Sequence, residues 1–180
     1  MKISYSGTPN MASILTAHNR KLIDEKRTKK EQNQNCNCRG GVDRCPMQGR
    51  CLTSAIVYKA TVTAEDGEQK TYIGSTDRTF KERFYGHTAD MKNKEHRKNT
   101  TLAGYIWDKR DEGIPIKSVK WEIVKKCHKY KAGGDMCDVC LSEKLAIMKA
   151  QDNSSLNRRC ELMNRCVHKW KHKLNATKNL

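Results

Sequence analysis

Hydrophobic positions along the chain change period several times, and each change marks a new element. Met11, Ile14, Leu15, His18, Leu22 and Ile23 recur at helical spacing before the chain turns basic at Lys26-Arg27-Thr28-Lys29-Lys30. Residues 1–34 read as an amphipathic helix running out into a linker, too short to bury its own face. Residues 36–51 hold four cysteines and three glycines with almost no apolar content. Such a segment folds around a metal or not at all.

From Ala55 onward the pattern is denser. Ile56, Tyr58, Ala60 and Val62 alternate with Val57, Lys59, Thr61 and Thr63, the period of a strand. Glu65-Asp66-Gly67-Glu68 has Asp-Gly at its centre and predicts a hairpin turn, with Thr71-Tyr72-Ile73-Gly74 as the return strand. Asp77 is placed to cap a helix with Phe80, Phe84, His87 and Met91 along one face. A second helix is expected over Thr101–Glu112, carrying Leu102, Tyr105 and Ile106 and stopping at Gly113. Val119, Trp121 and Ile123 alternate in a third strand, Val119–Lys125. After a polar loop, Val139–Gln151 reads as a third helix with Leu141, Leu145 and Met148 on one side. Strand-strand-helix-helix-strand-helix is a small mixed α/β (α+β) layer, a three-stranded antiparallel sheet flanked by helices. No internal repeat is present. The expected organisation is 1–34 helix and linker, 35–54 Cys-rich segment, 55–160 α+β domain and 161–180 basic tail.

Composition changes the picture in two ways. Lys and Arg number 36 against 20 Asp and Glu, a net charge of +16 over 180 residues, which predicts an acidic polymer partner. Nucleic acid comes first and an anionic membrane surface second. The last thirty residues alone hold seven Lys/Arg and two acids. No apolar run approaches the roughly 20 residues of a spanning helix; the longest are fragments such as Ala55-Ile56-Val57. Met1 to Gly7 has no hydrophobic stretch of the secretory kind, so a reducing, intracellular compartment is expected. There nine cysteines, an odd number, are better explained by metal than by disulfides. A secreted disulfide-rich basic protein would need the missing signal. Apolar residues at 36% and aromatics at 6% place part of the chain outside any core.

Cys36, Cys38, Cys45 and Cys51 follow C-x-C-x6-C-x5-C around Gly40-Gly41, and four thiolates within sixteen residues can close a tetrahedral zinc site. Cys137-x2-Cys140 is a second half-site. Cys127 and Cys160 are left over, as small buried residues or substitute ligands.

Ile56-Val57-Tyr58 on one strand and Tyr72-Ile73-Gly74 on its hairpin partner resemble the two name motifs of the GIY-YIG endonucleases. Arg83 and His87, one turn apart in Phe80-Lys81-Glu82-Arg83-Phe84-Tyr85-Gly86-His87, look like that family's arginine-histidine helix. Glu143, in Cys140-Leu141-Ser142-Glu143-Lys144-Leu145, resembles its metal-binding glutamate, and Asn157, in Ser155-Leu156-Asn157-Arg158-Arg159, its late asparagine. Within the family the chain is similar to the C-terminal endonuclease of Penelope-like retroelements. That likeness rests on Cys-Asn-Cys-Arg (36–39), Cys-Pro-Met-Gln-Gly-Arg-Cys (45–51), Tyr-Ile-Trp (105–107), Cys-Asp-Val-Cys-Leu-Ser-Glu-Lys-Leu (137–145) and Asn-Arg-Cys-Val-His-Lys (164–169). Tyr5 to Met11 resembles the tether to the element's reverse transcriptase. The same resemblance implies that Cys166 and His168 complete a second zinc site with Cys137 and Cys140. Ile56 stands where the family has a glycine, the loop between the two tyrosines is longer than in compact members, and Gly7 stands where a cysteine is expected.

The resemblance implies a Mg²⁺-dependent DNA endonuclease that nicks a retroelement target, with a reverse transcriptase domain or element RNA as further partner and the nucleus as location. The residue types suit that chemistry. Arg83 can fork onto phosphate oxygens and cannot lose its proton. Glu143 is a hard oxygen ligand for one Mg²⁺. By resemblance Tyr58 is the general base, though a free phenol has a pKa near 10 and must be depressed first. Tyr72 and His87 would position water or relay the proton, and Asn157 would buttress the site. Taken singly each residue has an ordinary explanation: strand packing for the tyrosines, solvated charge for Arg83 and Glu143, core for His87, a cap or turn for Asn157. The ordered set carries the inference. The competing expectation is a zinc-stabilised nucleic-acid-binding module without catalysis.

Overall fold

The computed structural model describes residues 16, 18–20, 36–130, 136–150, 153–163, 165, 166 and 168. Its elements run β1 (Ser54–Ala64), β2 (Gln69–Thr79), α1 (Phe80–Lys92), α2 (Thr101–Asp111), β3 (Ile116–Lys126) and α3 (Asp138–Lys149). Short 3-10 turns follow α1 (Lys94–Lys98) and α3 (Arg159–Met163). The strands form one antiparallel sheet in the order β2-β1-β3, the expected α+β arrangement. Thr16 and residues 18–20 are helical and exposed. The rest of the amphipathic stretch read over 1–34, and the basic tail past His168, lie outside the described residues.

β1 is the middle strand, and it is buried on both faces. On one face Ile56, Tyr58, Ala60 and Val62 meet Tyr72, Trp121 and the α1 and α2 residues Phe80, Leu102 and Ile106. On the other, Ala55, Val57 and Ile73 meet Cys127 and the α3 residues Val139 and Ile147. Cys127 is thus a small buried residue of this second cluster. Each large apolar side chain so buried contributes about 1.5–3 kcal/mol relative to exposure. Cys45, Met47 and Cys51 pack into the first cluster, so the Cys-rich segment and the sheet share a core.

The hairpin turn forms where Asp-Gly predicts it. Ala64 N–H donates to Glu68 O at 3.0 Å, and Gly67 takes φ 85°, a region that favours glycine. β2 continues well beyond Gly74, however, and absorbs Asp77, which caps nothing. Ser54 pairs with Thr79, and Thr79 is the N-cap of α1, its Oγ1 accepting from Glu82 N–H at 3.4 Å. Two more free donors of the helix are satisfied by the Cys-rich segment: Phe80 N–H donates to Thr53 O (2.9 Å) and Lys81 N–H to Cys51 O (2.7 Å).

α3 presents the opposite side from the one its leucines mark. Val139, Ser142 and Ile147 face the sheet, whereas Leu141, Leu145 and Met148 are 45%, 47% and 59% exposed. The rotation is fixed by other contacts. Cys137 and Cys140 are drawn into a cluster with Cys166 and His168. Asp138 accepts from His128 N–H at 2.8 Å and from Lys125 Nζ at 3.2 Å, pinning the helix start to the end of β3.

Candidate functional site

Tyr58 lies opposite Gly74 in the β1–β2 register, with its ring directed at α1. Its hydroxyl accepts from Arg83 Nε–H at 2.9 Å and lies 2.8 Å from His87 Nε2. A guanidinium only donates, so the phenolic hydrogen goes to His87 Nε2, and the neutral imidazole carries its own hydrogen on Nδ1. That Nδ1 is buried and meets no hydrogen-bond partner among the described residues. Burial, and then the charge of Arg83, bring the His87 pKa down to about 3. Burial pushes Tyr58 up to about 12 against the pull of Arg83, with Glu143 adding to the rise. Tyr72 is raised by the same cause and then by Tyr58, and its ring stands edge-on to His87 at 5.8 Å. Arg83 bonds Tyr58 and interacts electrostatically with Tyr72.

Gly74 is required by this arrangement through space and not through backbone freedom. A Cβ there would sit 2.6 Å from Tyr58 Oη, 2.8 Å from its Cζ and 3.0 Å from Tyr72 Cε1. Trp121, which no motif singled out, closes the far side, with its ring 5.2 Å from His87 and 5.5 Å from Phe80.

A cavity of about 640 Å³ opens at the β2 edge and brings Tyr72, Arg83 and Glu143 to one surface. Lys98, Arg158 and Arg165 supply positive charge around it. Glu143 is mostly buried, and its pKa is raised first by desolvation and further by Glu161, against hydrogen bonds from Ser75 and the charge of Arg83. Glu161 is a second carboxylate on the same cavity. It stands in Arg-Arg-Cys-Glu, a context that no motif singles out.

Asn157 does not line the cavity but holds its wall. Its Oδ1 accepts from Ile73 N–H (2.7 Å) and its Nδ2 donates to Ile73 O (2.8 Å) and to Glu161 Oε2 (2.7 Å). The side-chain amide thus stands in for a neighbouring peptide at the open edge of β2, beside the bridge between Thr71 and Ser155.

Both cysteine clusters assemble. The ligand atoms of Cys36, Cys38, Cys45 and Cys51 all lie within 4.8 Å of one another, as do those of Cys137, Cys140, Cys166 and His168. Cys51 Sγ is 3.7 Å from the sulfurs of both Cys36 and Cys38. That is far beyond a disulfide and matches the roughly 3.8 Å edge of a tetrahedron with 2.3 Å zinc–sulfur bonds. In the second cluster Cys140 Sγ lies 3.6 Å from Cys166 Sγ and 3.2 Å from His168 Nδ1. His168 Nε2 faces Asp77 Oδ2 at 3.6 Å, a carboxylate behind a ligating imidazole. Asp77 therefore serves this cluster in place of the helix cap first expected of it. Burial opposes ionisation of Cys45, but N–H groups of Met47 and Gly49 bonded to it bring its thiol down to about 7. Both donor sets are compatible with structural zinc.

No family model, no curated protein and no solved structure matches this chain. Among the described residues, no helix is long and apolar enough to cross a membrane.

Proposed function

We propose that this chain is a DNA endonuclease of the GIY-YIG kind, hydrolysing a phosphodiester with one bound Mg²⁺ and held in shape by two structural zinc ions. The observation that carries it is the Arg83 guanidinium, which bonds Tyr58 and lines, together with Tyr72 and Glu143, one basic-rimmed cavity. A phosphate entering that cavity meets the Arg83 cation, the Tyr72 phenol and the carboxylates of Glu143 and Glu161, with Tyr58 behind the wall.

Glu143 fits a divalent ion. It is a mostly buried carboxylate whose pKa is raised first by desolvation and then by the neighbouring Glu161, and a divalent ion would offset both. Glu143, with Glu161 beside it, would hold the ion, and when bound it supplies charge neutralisation at the phosphoryl oxygens. Arg83 binds the phosphate and stabilises charge developing on it. Tyr72 lines the cavity and orients the attacking water. Tyr58 stands one layer behind, and its proton has a path to His87 Nε2. With no metal cation beside them both phenols stay protonated and His87 stays neutral. Burial is the main cause of both tyrosine shifts and Glu143's negative charge a lesser one, so a cation held at Glu143 would lower both phenols and favour the phenolate that accepts a proton from water. Retroelement kinship would make the reaction a single-strand nick priming integration, in a nuclear setting, beside a reverse transcriptase domain or element RNA.

The test is relaxation of supercoiled plasmid by zinc-loaded protein with and without added Mg²⁺. Nicking that requires Mg²⁺ and is lost in Glu143→Gln and Arg83→Ala supports the assignment. Salt-sensitive DNA binding with no cleavage under any divalent metal would instead leave a zinc-stabilised binding module.

A further inference from the structure

α1 presents two working sides. Arg83 and His87 turn toward the sheet, and Tyr85, two residues from each, stands on the outer side with 58% of its surface exposed. More than half of the residue is thus open to a partner. It borders a cavity of about 560 Å³ between α1 and the Cys-rich segment, with Arg39, Arg44, Lys81 and Pro46 around it.

The basic groups of this cleft are placed by the fold. Lys81 Nζ donates to Asn37 Oδ1 (2.6 Å) and Asn37 O (3.2 Å), and it stands 5.9 Å from the centre of the Tyr85 ring. Arg44 lies flat across Gly40. A Cβ at Gly40 would fall 2.1 Å from Arg44 Cδ and 2.8 Å from its Cβ, so only glycine leaves that path open. Among the described residues no acidic side chain makes an ion pair with Arg39, Arg44 or Lys81. Elsewhere Arg97 is held by Asp108 and Asp111, and Lys109 by Asp66 and Glu68. Three cations without an acidic partner among the described residues, beside an exposed aromatic ring in a chain of net charge +16, form a site suited to an anionic ligand with a flat ring.

We propose that this cleft binds single-stranded nucleic acid, one unpaired base stacking on Tyr85 while Arg39, Arg44 and Lys81 hold the adjoining phosphates. Duplex is disfavoured because its bases are stacked on each other and offer the ring no free face. The site is separate from the cavity of Arg83 and Glu143, and it does not depend on cleavage. Coupled to a nicking activity, it would keep hold of one strand, DNA or RNA, beside the opened duplex.

The experiment is fluorescence anisotropy of labelled ten-nucleotide oligo(dT) and oligo(U) with the full zinc-loaded chain and no added Mg²⁺. Tyr85→Ala is expected to weaken binding by at least about fivefold, the loss of one base-aromatic stack. Tyr85→Trp keeps it. Arg44→Ala and Lys81→Ala each lower the slope of log affinity against log salt by about 0.7. The relative response of the oligo(dT) and oligo(U) arms to Tyr85→Ala tells which strand the cleft serves. Thermal unfolding of Tyr85→Ala should match wild type, which separates lost binding from lost fold. Tyr85→Ala binding both oligonucleotides within twofold of wild type would overturn the proposal. So would a blunt duplex or poly-glutamate bound as tightly as oligo(dT) and as sensitive to Tyr85→Ala, or Tyr85→Trp failing like alanine.

Discussion

Gly74→Ala is the sharpest perturbation of the candidate site, because it adds one methyl and changes nothing else. The backbone at Gly74 does not need a left-handed conformation, so alanine is acceptable there except for space. The new Cβ would stand 2.6 Å from Tyr58 Oη and 2.8 Å from Cζ, whereas ordinary contacts begin at 3.4 Å. Tyr58 cannot retreat: it is fully buried, with Phe80 at 5.3 Å, His87 at 5.8 Å and Trp121 at 5.9 Å, centroid to centroid. Overpacking of this kind costs about 1–3 kcal/mol, and restricting the unfolded chain returns about 0.4–1 kcal/mol. The net loss is on the order of 1–2 kcal/mol, a fall of about 2–8 °C in Tm for a chain of this length. Tyr58 is also pushed off Arg83 and His87, so plasmid nicking should fall with it. Gly86→Ala is the matched control, since nothing lies within 4 Å of a Cβ there and the position is inside α1; it should stabilise by about 0.5–1 kcal/mol. Urea denaturation of the zinc-loaded protein measures both. Adding Tyr58→Phe to Gly74→Ala removes the closest atom and should recover at least about 0.5 kcal/mol relative to additivity. A Gly74→Ala protein as stable as wild type, or a strictly additive double mutant, would refute the steric account.

Three further outcomes are expected. His87 has its pKa at about 3 when folded against 6.5 when unfolded, so between those values the unfolded chain binds the extra proton and stability falls as pH drops. At pH 5 the loss relative to pH 7 is on the order of 2 kcal/mol; urea titrations at both pH values should show it in wild type and show it missing from His87→Gln. Asn157→Ala strips two hydrogen bonds from Ile73 at the edge of β2 and one from Glu161, and should cost on the order of 1–3 kcal/mol in the same assay. On α3, Leu145→Gln should stay within about 0.5 kcal/mol of wild type, whereas Ile147→Ala should cost about 2–5 kcal/mol, because the first side chain is exposed and the second is buried.

The course of the sheet could be read ahead of the structure because alternation, the Asp-Gly turn and the Trp121 strand all pointed one way. The rotation of α3 could not. Leu141, Leu145 and Met148 have the spacing of a buried face, but α3 is oriented by Cys137, Cys140 and Asp138, whose partners lie as far as thirty residues away in the chain. Asp77 has the right residue type for a cap, yet strand pairing carries β2 two residues further, and Thr79 takes the role. Tyr58, Tyr72, Arg83, His87 and Glu143 could be named because their order has a precedent. Glu161 and Trp121 had none, and only the closing of the β2 edge and of α1 over the sheet brings them in. The depth of Tyr58 was equally unreadable, since a strand residue facing α1 can be exposed or covered depending on how that helix packs.

The central claim is that Glu143 and Arg83 serve one cation-dependent cleavage site. Single-turnover nicking of supercoiled plasmid, followed from about pH 6 to 8.5 at saturating Mg²⁺ by zinc-loaded wild type, Tyr58→Phe, Arg83→Ala and Glu143→Gln, tests it most directly. The account predicts a wild-type rate that rises with pH, as expected of a phenol that must lose its proton, and three variants without cleavage but with unchanged zinc content. Cleavage that persists in Glu143→Gln or Arg83→Ala, or that proceeds equally without added Mg²⁺, would contradict it.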